Sequence, residues 1–78
     1  WVYVLKSKSG SKSYVGQTDN LQRRLDEHNA GKSAFSKRFI PWQLVHTESF
    51  VTREEAVFRE TFLKSKTGRI FLKQVVFD

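Results

Sequence analysis

The sequence predicts one α+β domain, in which helices flank a three-stranded, mainly antiparallel sheet. Two short β-prone segments lie at the N terminus with a polar loop between them. Farther along, an apolar stripe marks one helix and a capping box begins a second. The resulting order is β-β-α-(turn)-β-α-α, and a sheet with helices packed on it is the simplest architecture that fits this order. Residues 1–78 have the length of a single domain.

The first two strands form a predicted hairpin. Residues 1–5 read WVYVL, a strongly β-prone run that is typical of a strand buried on both faces. Residues 6–13 are rich in Ser, Lys and Gly, which indicates a hairpin loop. Residues 13–16 then form a second short strand, and we expect it to pair antiparallel with the first.

The first helix follows this hairpin at once. Thr18 or Asp19 can cap its N terminus, and Gly31 is well placed to end it, so the helix should run to about Ala30. Residues 32–40 are polar and basic. We expect them to hold a short helical turn that Pro41 ends.

A third strand and two more helices complete the prediction. Residues 42–50 form the strand. Thr52 and Glu55 then make a capping box of the S/T-x-x-E type, which predicts a helix from there to about Lys64. Residues 65–68 should break that helix, and residues 69–76 should form a last short one.

The composition favours a nucleic-acid partner. Fourteen Lys and Arg against eight Asp and Glu give a net charge of +6. On so small a domain this charge favours a polyanion, although a soluble basic protein with no such partner has the same composition. The absence of cysteine excludes disulfides and thiolate metal sites. No apolar run is long enough for a membrane span or a signal peptide, so we expect a cytoplasmic location.

Two polar residues lie on the face of the first helix that should contact the sheet. At 100° per residue, Arg24 and His28 share a narrow stripe with Leu21 and Leu25. A guanidinium at the edge of a core must be paired or directed at an anion. Arg24 could instead extend to the solvent edge, and His28 could be a satisfied boundary histidine.

Glu60 interrupts the inward face of the second helix. It shares a stripe with Ala56 and Leu63, whereas the acids of the first turn are explained by capping and the helix dipole. This position makes Glu60 a candidate functional carboxylate. A simpler explanation is an i,i+4 ion pair with Lys64.

Together these segments resemble the GIY-YIG nuclease superfamily, and in particular its small, stand-alone bacterial members. The matching elements are VYV at residues 2–4, YVG at 14–16, NLxxRLxxH at 20–28, PWxLV at 41–45 and EAxxxExxLKS at 55–65. They occur in order and with matching spacing over nearly the whole chain. The resemblance implies a metal-dependent endonuclease with a three-stranded antiparallel sheet.

The resemblance also implies which residues form the site. The two motif tyrosines, the helix arginine, the residue one turn after it and the single metal-binding carboxylate correspond to Tyr3, Tyr14, Arg24, His28 and Glu60. Gly16 matches the glycine of the second motif, which lets the backbone pass close to the substrate.

These side chains suit phosphodiester hydrolysis. One carboxylate with water as its main co-ligand fits Mg²⁺, with Mn²⁺ as a second possibility. The forked guanidinium of Arg24 matches two phosphate oxygens. We assign water activation to Tyr3 or Tyr14 without choosing between them, and proton relay or phosphate contact to His28. Non-specific contacts to the DNA backbone are expected from the basic loop residues Lys32, Lys37 and Arg38.

The chain departs from the family pattern at three places. The first motif begins at Trp1 and lacks its glycine. Gln17 stands where some relatives have a lysine. Beyond Glu60, residues 71–74 contain no asparagine where several relatives have one, and Gln74 is the nearest substitute. These departures bear on catalytic strength more than on fold.

The expected function is therefore a metal-dependent endonuclease that acts on branched or damaged DNA in repair, recombination or processing. The alternative is a basic nucleic-acid-binding module of the same fold with weak or no cleavage. A third possibility treats exposed aromatic residues as a protein-docking surface, although we expect Trp42 and the phenylalanines in the core. A protein partner or a dimer would be a source of specificity.

Overall fold

A three-stranded antiparallel sheet with helices on both faces forms the protein. The computed structural model describes residues 1–8 and 12–75. Its sheet has the order β2-β1-β3 and contains β1 (Val2–Ser7), β2 (Ser13–Gln17) and β3 (Trp42–Glu48). Its helices are α1 (Leu21–Asn29), a 3-10 helix (Ser36–Phe39), α2 (Arg53–Lys64) and α3 (Lys66–Val75). The predicted α+β class and order of elements are confirmed.

The central strand β1 divides the core into two clusters. Side chains alternate across a strand, so Val2 and Val4 face one side and Tyr3 and Leu5 face the other. The first pair packs with three residues of α2 and α3: Ala56, Leu63 and Leu72. The second pair packs with Trp42 and with residues of β2, α1 and the 3-10 segment. The prediction that this strand is buried on both faces is confirmed.

Asn20 caps α1. Its side chain accepts a hydrogen bond from the backbone N–H of Arg23 at 3.0 Å. The expected cap at Thr18 or Asp19 is therefore wrong. The Thr18 hydroxyl accepts instead from the backbone N–H of the capping residue Asn20, at 3.1 Å. Gly31 has φ +79 just after the helix, as its predicted role at the C-terminal end requires.

The junction between α2 and α3 differs from the prediction. The capping box of Thr52 and Glu55 is present, and α2 ends at Lys64 as expected. Only Ser65 separates the two helices, however, and Gly68 lies inside α3. A Cβ atom on Gly68 would overlap the Phe62 carbonyl oxygen and contact the Leu63 backbone. Glycine serves here for close helix packing, so the expected break over residues 65–68 is wrong.

The remaining differences concern the ends of elements. Strand β1 continues to Ser7, so the predicted loop over residues 6–13 is shorter, and its tip at residues 9–11 lies outside the described residues. Strand β3 ends at Glu48, before the expected residue 50. Helix α3 starts at Lys66 and is described to Val75, and the expected last residue, Val76, lies outside the described residues.

An ion network fastens α2 to β3. Glu48 accepts from Arg59 Nε at 2.7 Å and Nη2 at 3.1 Å, and His46 Nε2 lies 2.9 Å from the same carboxylate. Burial by itself would raise the pKa of Glu48, but the hydrogen bonds from Arg59 and His46 together hold that pKa below its ordinary value. The network was not predicted, because Arg59 lies eleven residues from Glu48 and on a different element.

The aromatic residues divide between core and surface. Trp42 is buried, as predicted, and Phe62 and Phe71 pack against the core. Phe35 and Phe58 are exposed by 48% and 80%, so the expectation that the phenylalanines are buried is wrong for these two. Within the described part of the chain, we find no helix with the length and apolar character needed to cross a membrane.

Candidate active site

Tyr3 lies at the centre of the residues that the sequence singled out. It is buried in the middle strand and faces α1. Arg24 donates from Nε to the Tyr3 hydroxyl at 3.2 Å, and His28 Nε2 lies 3.2 Å from the same hydroxyl. Arg24 and His28 are four residues apart on α1, so one helix face presents both of them to one phenol. The prediction that this face of α1 is turned toward the sheet is confirmed.

Gly16 leaves room for the phenol of Tyr3. The two residues are partners in the pairing of β1 with β2. A Cβ atom at position 16 would lie 2.5 Å from Tyr3 Oη and 2.7 Å from Tyr3 Cζ. Any larger residue at this position would therefore displace the hydroxyl that Arg24 and His28 share. Close packing against Tyr3 gives Gly16 a structural role besides the predicted one in substrate approach.

Tyr14 forms the second aromatic wall of the site. It precedes Gly16 by two residues on β2, so both lie on the same face of the strand. Its ring stacks on Tyr3 with centroids 6.1 Å apart, and its centroid is 4.6 Å from that of His28. The nearby Tyr14 hydroxyl also contributes to the raised pKa of Arg24. Tyr14 is half-buried, so it is more accessible to solvent than Tyr3.

His28 is buried and bonded at both ring nitrogens. Its Nδ1 atom lies 2.8 Å from the hydroxyl of Ser36, which is also buried. Burial lowers the pKa of His28, and the charge of Arg24 lowers it further, while Glu27 partly opposes this effect. The imidazole is therefore neutral at pH 7. Sequence reasoning missed Ser36 because nothing in the polar run after α1 indicates which hydroxyl turns inward.

The Arg24 guanidinium is held but not enclosed. Besides Tyr3, it bonds Glu27 through Nη1 at 3.1 Å, and 34% of its side chain stays exposed. Hydrogen bonds to Tyr3 and then to Glu27 raise its pKa, so it stays charged. Glu27 follows Arg24 by three residues on α1, and this i,i+3 contact brings its carboxylate to the edge of the site.

The phenol of Tyr3 stays protonated at neutral pH. Burial raises its pKa above the ordinary value of 10.0, and the hydrogen bond from Arg24 opposes this only in part. The negative charges that Tyr14 and Glu60 can carry also raise this pKa. Tyr3 is therefore a hydrogen-bond donor in the site as it stands.

Glu60 approaches the cluster from α2. Its side chain is 21% exposed, and the carboxylate is close enough to Tyr3 to influence the pKa of the phenol. Its direct partner is Lys64, whose Nζ lies 2.7 Å from Oε2, so the simpler explanation considered for Glu60 is realised in the structure. Ala56 and Leu63 are buried on the same helix, as predicted. The structure thus joins Tyr3, Tyr14, Arg24 and His28 by direct contact and adds Glu60 through its charge.

The carboxylate fits a weakly coordinated divalent ion. Residues 1–8 and 12–75 contain no group of three or more His, Cys, Asp or Glu side chains able to hold a metal. A site formed entirely by protein ligands is therefore not available among them. Mg²⁺ commonly binds through one or two carboxylates, with water and substrate phosphate filling the other positions. Glu60 fits this mode, because its partner Lys64 is 53% exposed and free to turn away.

The predicted basic residues border the same face. Lys32, Lys37 and Arg38 are exposed, and the last two lie in the 3-10 helix, next to Ser36. Phe35 lies beside them with its ring centroid 6.2 Å from that of Tyr14. A positive, partly aromatic surface therefore adjoins the Tyr14 wall.

Two residues at which the chain departs from the family pattern lie away from this cluster of contacts. Gln17 is half-buried at the end of β2, where it lines a separate cavity of about 560 Å³ with Trp1, Thr52 and Arg53. Gln74 is exposed near the end of α3.

Comparison with known proteins identifies the family. Residues 1–74 match the model of the GIY-YIG catalytic domain. The chain belongs to the GIY-YIG family. Members of this family are nucleases, and they generally use a divalent metal ion. No solved structure matches the chain.

Relatives occur in bacteria and archaea. The chain is 39% identical to a UPF0213 protein of Streptococcus pneumoniae serotype 4 over 67 residues, which is 85% of this chain and 67% of that protein. A UPF0213 protein of Streptococcus agalactiae serotype V is 37% identical over 76 residues, 96% of this chain and 85% of its own length. A UPF0213 protein of Haloquadratum walsbyi is 43% identical over 68 residues, which is 86% of this chain and 75% of that protein. These relatives are small proteins, and their names specify no substrate.

Proposed function

We propose that this GIY-YIG protein is a Mg²⁺-dependent endonuclease that hydrolyses phosphodiester bonds of branched or damaged DNA in the cytoplasm. Residues 1–78 would act as one nuclease domain. The observation that supports the proposal is the convergence of Arg24 and His28 on the Tyr3 hydroxyl, within electrostatic reach of Glu60. The cluster offers a cation, proton-transfer groups and a carboxylate, which are the groups that cleavage of a charged diester requires.

Arg24 is the phosphate-binding group in this proposal. Its Nε and Nη1 atoms are fixed by Tyr3 and Glu27, so the guanidinium plane is oriented before substrate arrives. The exposed third of the side chain leaves access for phosphate oxygens. Preorganised positive charge of this kind stabilises the charge that develops in the transition state.

Glu60 would hold the metal ion. When bound, Mg²⁺ supplies Lewis-acid stabilisation of the phosphate and of the leaving oxygen, and Mn²⁺ is the natural substitute. Lys64 would turn from Glu60 toward solvent or toward the DNA backbone when the carboxylate holds the ion. The cost of losing this contact is small, because exposed i,i+4 ion pairs are weak.

Tyr14 is the better candidate for activating water. It is half-buried on the open side of the cluster, whereas Tyr3 is buried and its raised pKa keeps it protonated. We assign Tyr3 and the neutral His28 to proton relay behind Tyr14. If Tyr14→Phe cleaves at the wild-type rate while Tyr3→Phe is impaired, the water-activating role passes to Tyr3.

The decisive experiment measures nicking and binding separately. Glu60→Gln and Arg24→Gln should each lower the cleavage rate of branched DNA by about 10²–10³ at saturating Mg²⁺. Glu60→Gln should leave DNA affinity nearly unchanged. Glu54→Gln is the matched control, because Glu54 is exposed in the first turn of the same helix. A Glu60→Gln protein that cleaves normally would contradict the proposed metal site.

A DNA-binding module with weak or no cleavage is the second candidate. It is favoured by Gln74, which stands where several relatives have an asparagine and is exposed near the end of α3. Wild-type protein that binds DNA but cleaves neither branched, damaged nor single-stranded DNA with Mg²⁺ or Mn²⁺ would establish this alternative. A protein partner or a second copy would then be the source of any activity.

A further inference from the structure

A buried chain of hydrogen bonds runs inward from the Arg24 side chain. Arg24 Nε bonds the Tyr3 hydroxyl, that hydroxyl is 3.2 Å from His28 Nε2, and His28 Nδ1 is 2.8 Å from Ser36 Oγ. The exposed fraction is 2% for Tyr3 and 0% for both His28 and Ser36. These three side chains are shielded from bulk solvent, so the groups in contact with one another decide the directions of the hydrogen bonds.

Arg24 determines the direction of the first bond. A guanidinium N–H can only donate, so the Tyr3 oxygen accepts from it. The phenolic proton of Tyr3, which lies in the plane of the ring, then needs an acceptor of its own. Among the hydrogen bonds found for the described residues, His28 Nε2 is the acceptor within reach of that proton. With Nε2 accepting, a neutral imidazole carries its proton on Nδ1 and donates it to Ser36 Oγ.

The opposite arrangement leaves a buried donor unsatisfied. If His28 carried its proton on Nε2, the Tyr3 oxygen would accept from both Arg24 and His28. The phenolic proton would then have no acceptor, which costs free energy in a buried site. In the first arrangement the Ser36 hydroxyl proton is the one that remains. A serine hydroxyl can turn toward a backbone carbonyl of its own turn, whereas the phenolic proton is held in the plane of its ring.

We propose that Ser36 is a positioning residue that holds His28 in the Nδ1–H tautomer, so that Tyr3 donates to His28 and keeps its oxygen as an acceptor for Arg24. This inference rests on the proposed function for its catalytic meaning, but its structural content does not depend on activity. Ser36 is itself held in place: the backbone carbonyl of Ser36 accepts from Trp42 Nε1 at 2.8 Å. The core indole thereby holds the backbone of Ser36 beside His28, while Arg24 sets the direction of the bond at the Tyr3 end.

The direct test is the tautomer of His28. In protein with ¹⁵N-labelled histidine at about pH 7.5, long-range ¹H–¹⁵N correlation shows which ring nitrogen carries the proton. We expect Nδ1–H for His28. His46 is the internal control, because its Nε2 lies 2.9 Å from a Glu48 carboxylate oxygen, which can only accept, so His46 should be protonated on Nε2. A His46→Gln sample assigns the two signals. A wild-type His28 protonated on Nε2 overturns the proposal whether or not the protein cleaves DNA.

Variants of Ser36 test the role of its hydroxyl. Ser36→Ala should mix the His28 tautomers and lower the single-turnover cleavage rate by about tenfold, the value of one hydrogen bond, with DNA affinity unchanged. Ser36→Thr keeps a hydroxyl and should restore both readouts, and Ser33→Ala, in the same segment, should change neither. An Ala variant with wild-type tautomer and rate overturns the proposal, as does a folded Thr variant that fails like Ala. If Ser36→Ala does not fold, the wild-type spectrum decides.

The proposed nuclease activity and the proposed role of Ser36 are contradicted by different results. A protein that cleaves no DNA but shows Nδ1–H on His28 refutes the proposed nuclease activity and retains the role of Ser36. A protein that cleaves DNA but has His28 protonated on Nε2 retains the proposed nuclease activity and refutes the role of Ser36.

Discussion

The hydroxyl of Tyr3, on β1, lies against residues of two other elements of the chain. It receives the Arg24 Nε–H and lies against His28 Nε2, both from α1, while Gly16 of β2 lies beneath it. The β1–β2 register and the four-residue spacing on α1 both have to be correct for these contacts to form. The position of this one oxygen is therefore sensitive to small changes at its neighbours.

Gly16→Ala should displace the Tyr3 phenol. Alanine normally stabilises a strand relative to glycine by about 0.5–1 kcal/mol. Here the added Cβ would lie 2.5 Å from Tyr3 Oη, so we expect a destabilisation of about 1–3 kcal/mol in urea unfolding and a strong loss of cleavage. Adding Tyr3→Phe removes the clashing oxygen and should recover part of the stability but none of the activity. Ser13→Ala, exposed on the same strand, is the control. A Gly16→Ala chain as stable as wild type would contradict the proposed overlap.

His28 should make the stability of the fold depend on pH. Its pKa is lowered from 6.5 in the folded protein, chiefly by burial. Below pH 6.5, His28 of the unfolded chain binds a proton, whereas His28 of the folded chain stays neutral. The free energy of unfolding therefore falls as pH drops from 6.5 toward the folded pKa, and the contribution of His28 is fully present above pH 6.5. The urea midpoint should decrease between about pH 7.5 and about pH 5.5.

Two variants identify the group responsible. His28→Asn should flatten this decrease, and His46→Gln should keep it. Glu48 contributes in a lower and separate window, because its pKa is held below 4.5 and the stability it supplies is lost only as pH falls through that lowered value. A wild-type midpoint that does not change down to about pH 5.5 would contradict the buried, neutral state of His28.

At the level of elements, the close contact between α2 and α3 determines how the two helices pack. Ser65 alone separates them, and Gly68 lets α3 approach the last turn of α2. Leu63 and Leu72 are buried on this side of the sheet, where Val2 and Val4 complete the cluster. Since Glu60 lies on α2, the position of the candidate metal ligand depends on this packing.

Gly68→Ala separates helix propensity from packing. Propensity alone would favour alanine by about 1 kcal/mol. The Cβ would overlap the Phe62 carbonyl oxygen, so we expect a net destabilisation of about 1–3 kcal/mol by urea or thermal unfolding. Thr67→Ala, at the neighbouring exposed position of the same helix, should change stability by less than about 0.5 kcal/mol. A stabilised Gly68→Ala protein would show that the helices are not held this close.

At the level of the whole molecule, the basic residues behind the net charge of +6 lie on both faces of the sheet, whereas Tyr3, Arg24 and His28 lie on one. Lys32, Lys37 and Arg38 border the face that carries the tyrosines, whereas Lys66, Arg69 and Lys73 are exposed on α3, which packs on the other. Net charge alone would make the two groups equivalent. Position relative to the site makes only the first group a candidate for DNA contact.

Salt titration of DNA binding should distinguish the two groups. Changing Lys32, Lys37 and Arg38 to Gln should weaken affinity and reduce the slope of log affinity against log salt by about 2–3, near 0.7–0.9 per lost phosphate contact. The same three-charge change at Lys66, Arg69 and Lys73 should leave the slope almost unchanged. Equal effects of the two triple variants would mean that DNA binding is not directed to the face of the site.

The sequence by itself determined the class of the fold, the order of the elements and one face of α1. It could do so because β-propensity, the capping box of Thr52 and Glu55 and the four-residue spacing of Arg24 and His28 are local properties of the chain. It also gave the candidate residues, through resemblance to the GIY-YIG family.

Only the tertiary structure decided how those residues meet. Ser36 contacts His28 across eight residues, and strand pairing packs Tyr3 over Gly16. Gly68 lies at the close contact between two helices, where the sequence predicted a break. Burial likewise sets the pKa values of Tyr3 and His28 in the site. These features depend on distances between segments and on desolvation, and neither is encoded in a local pattern of residues.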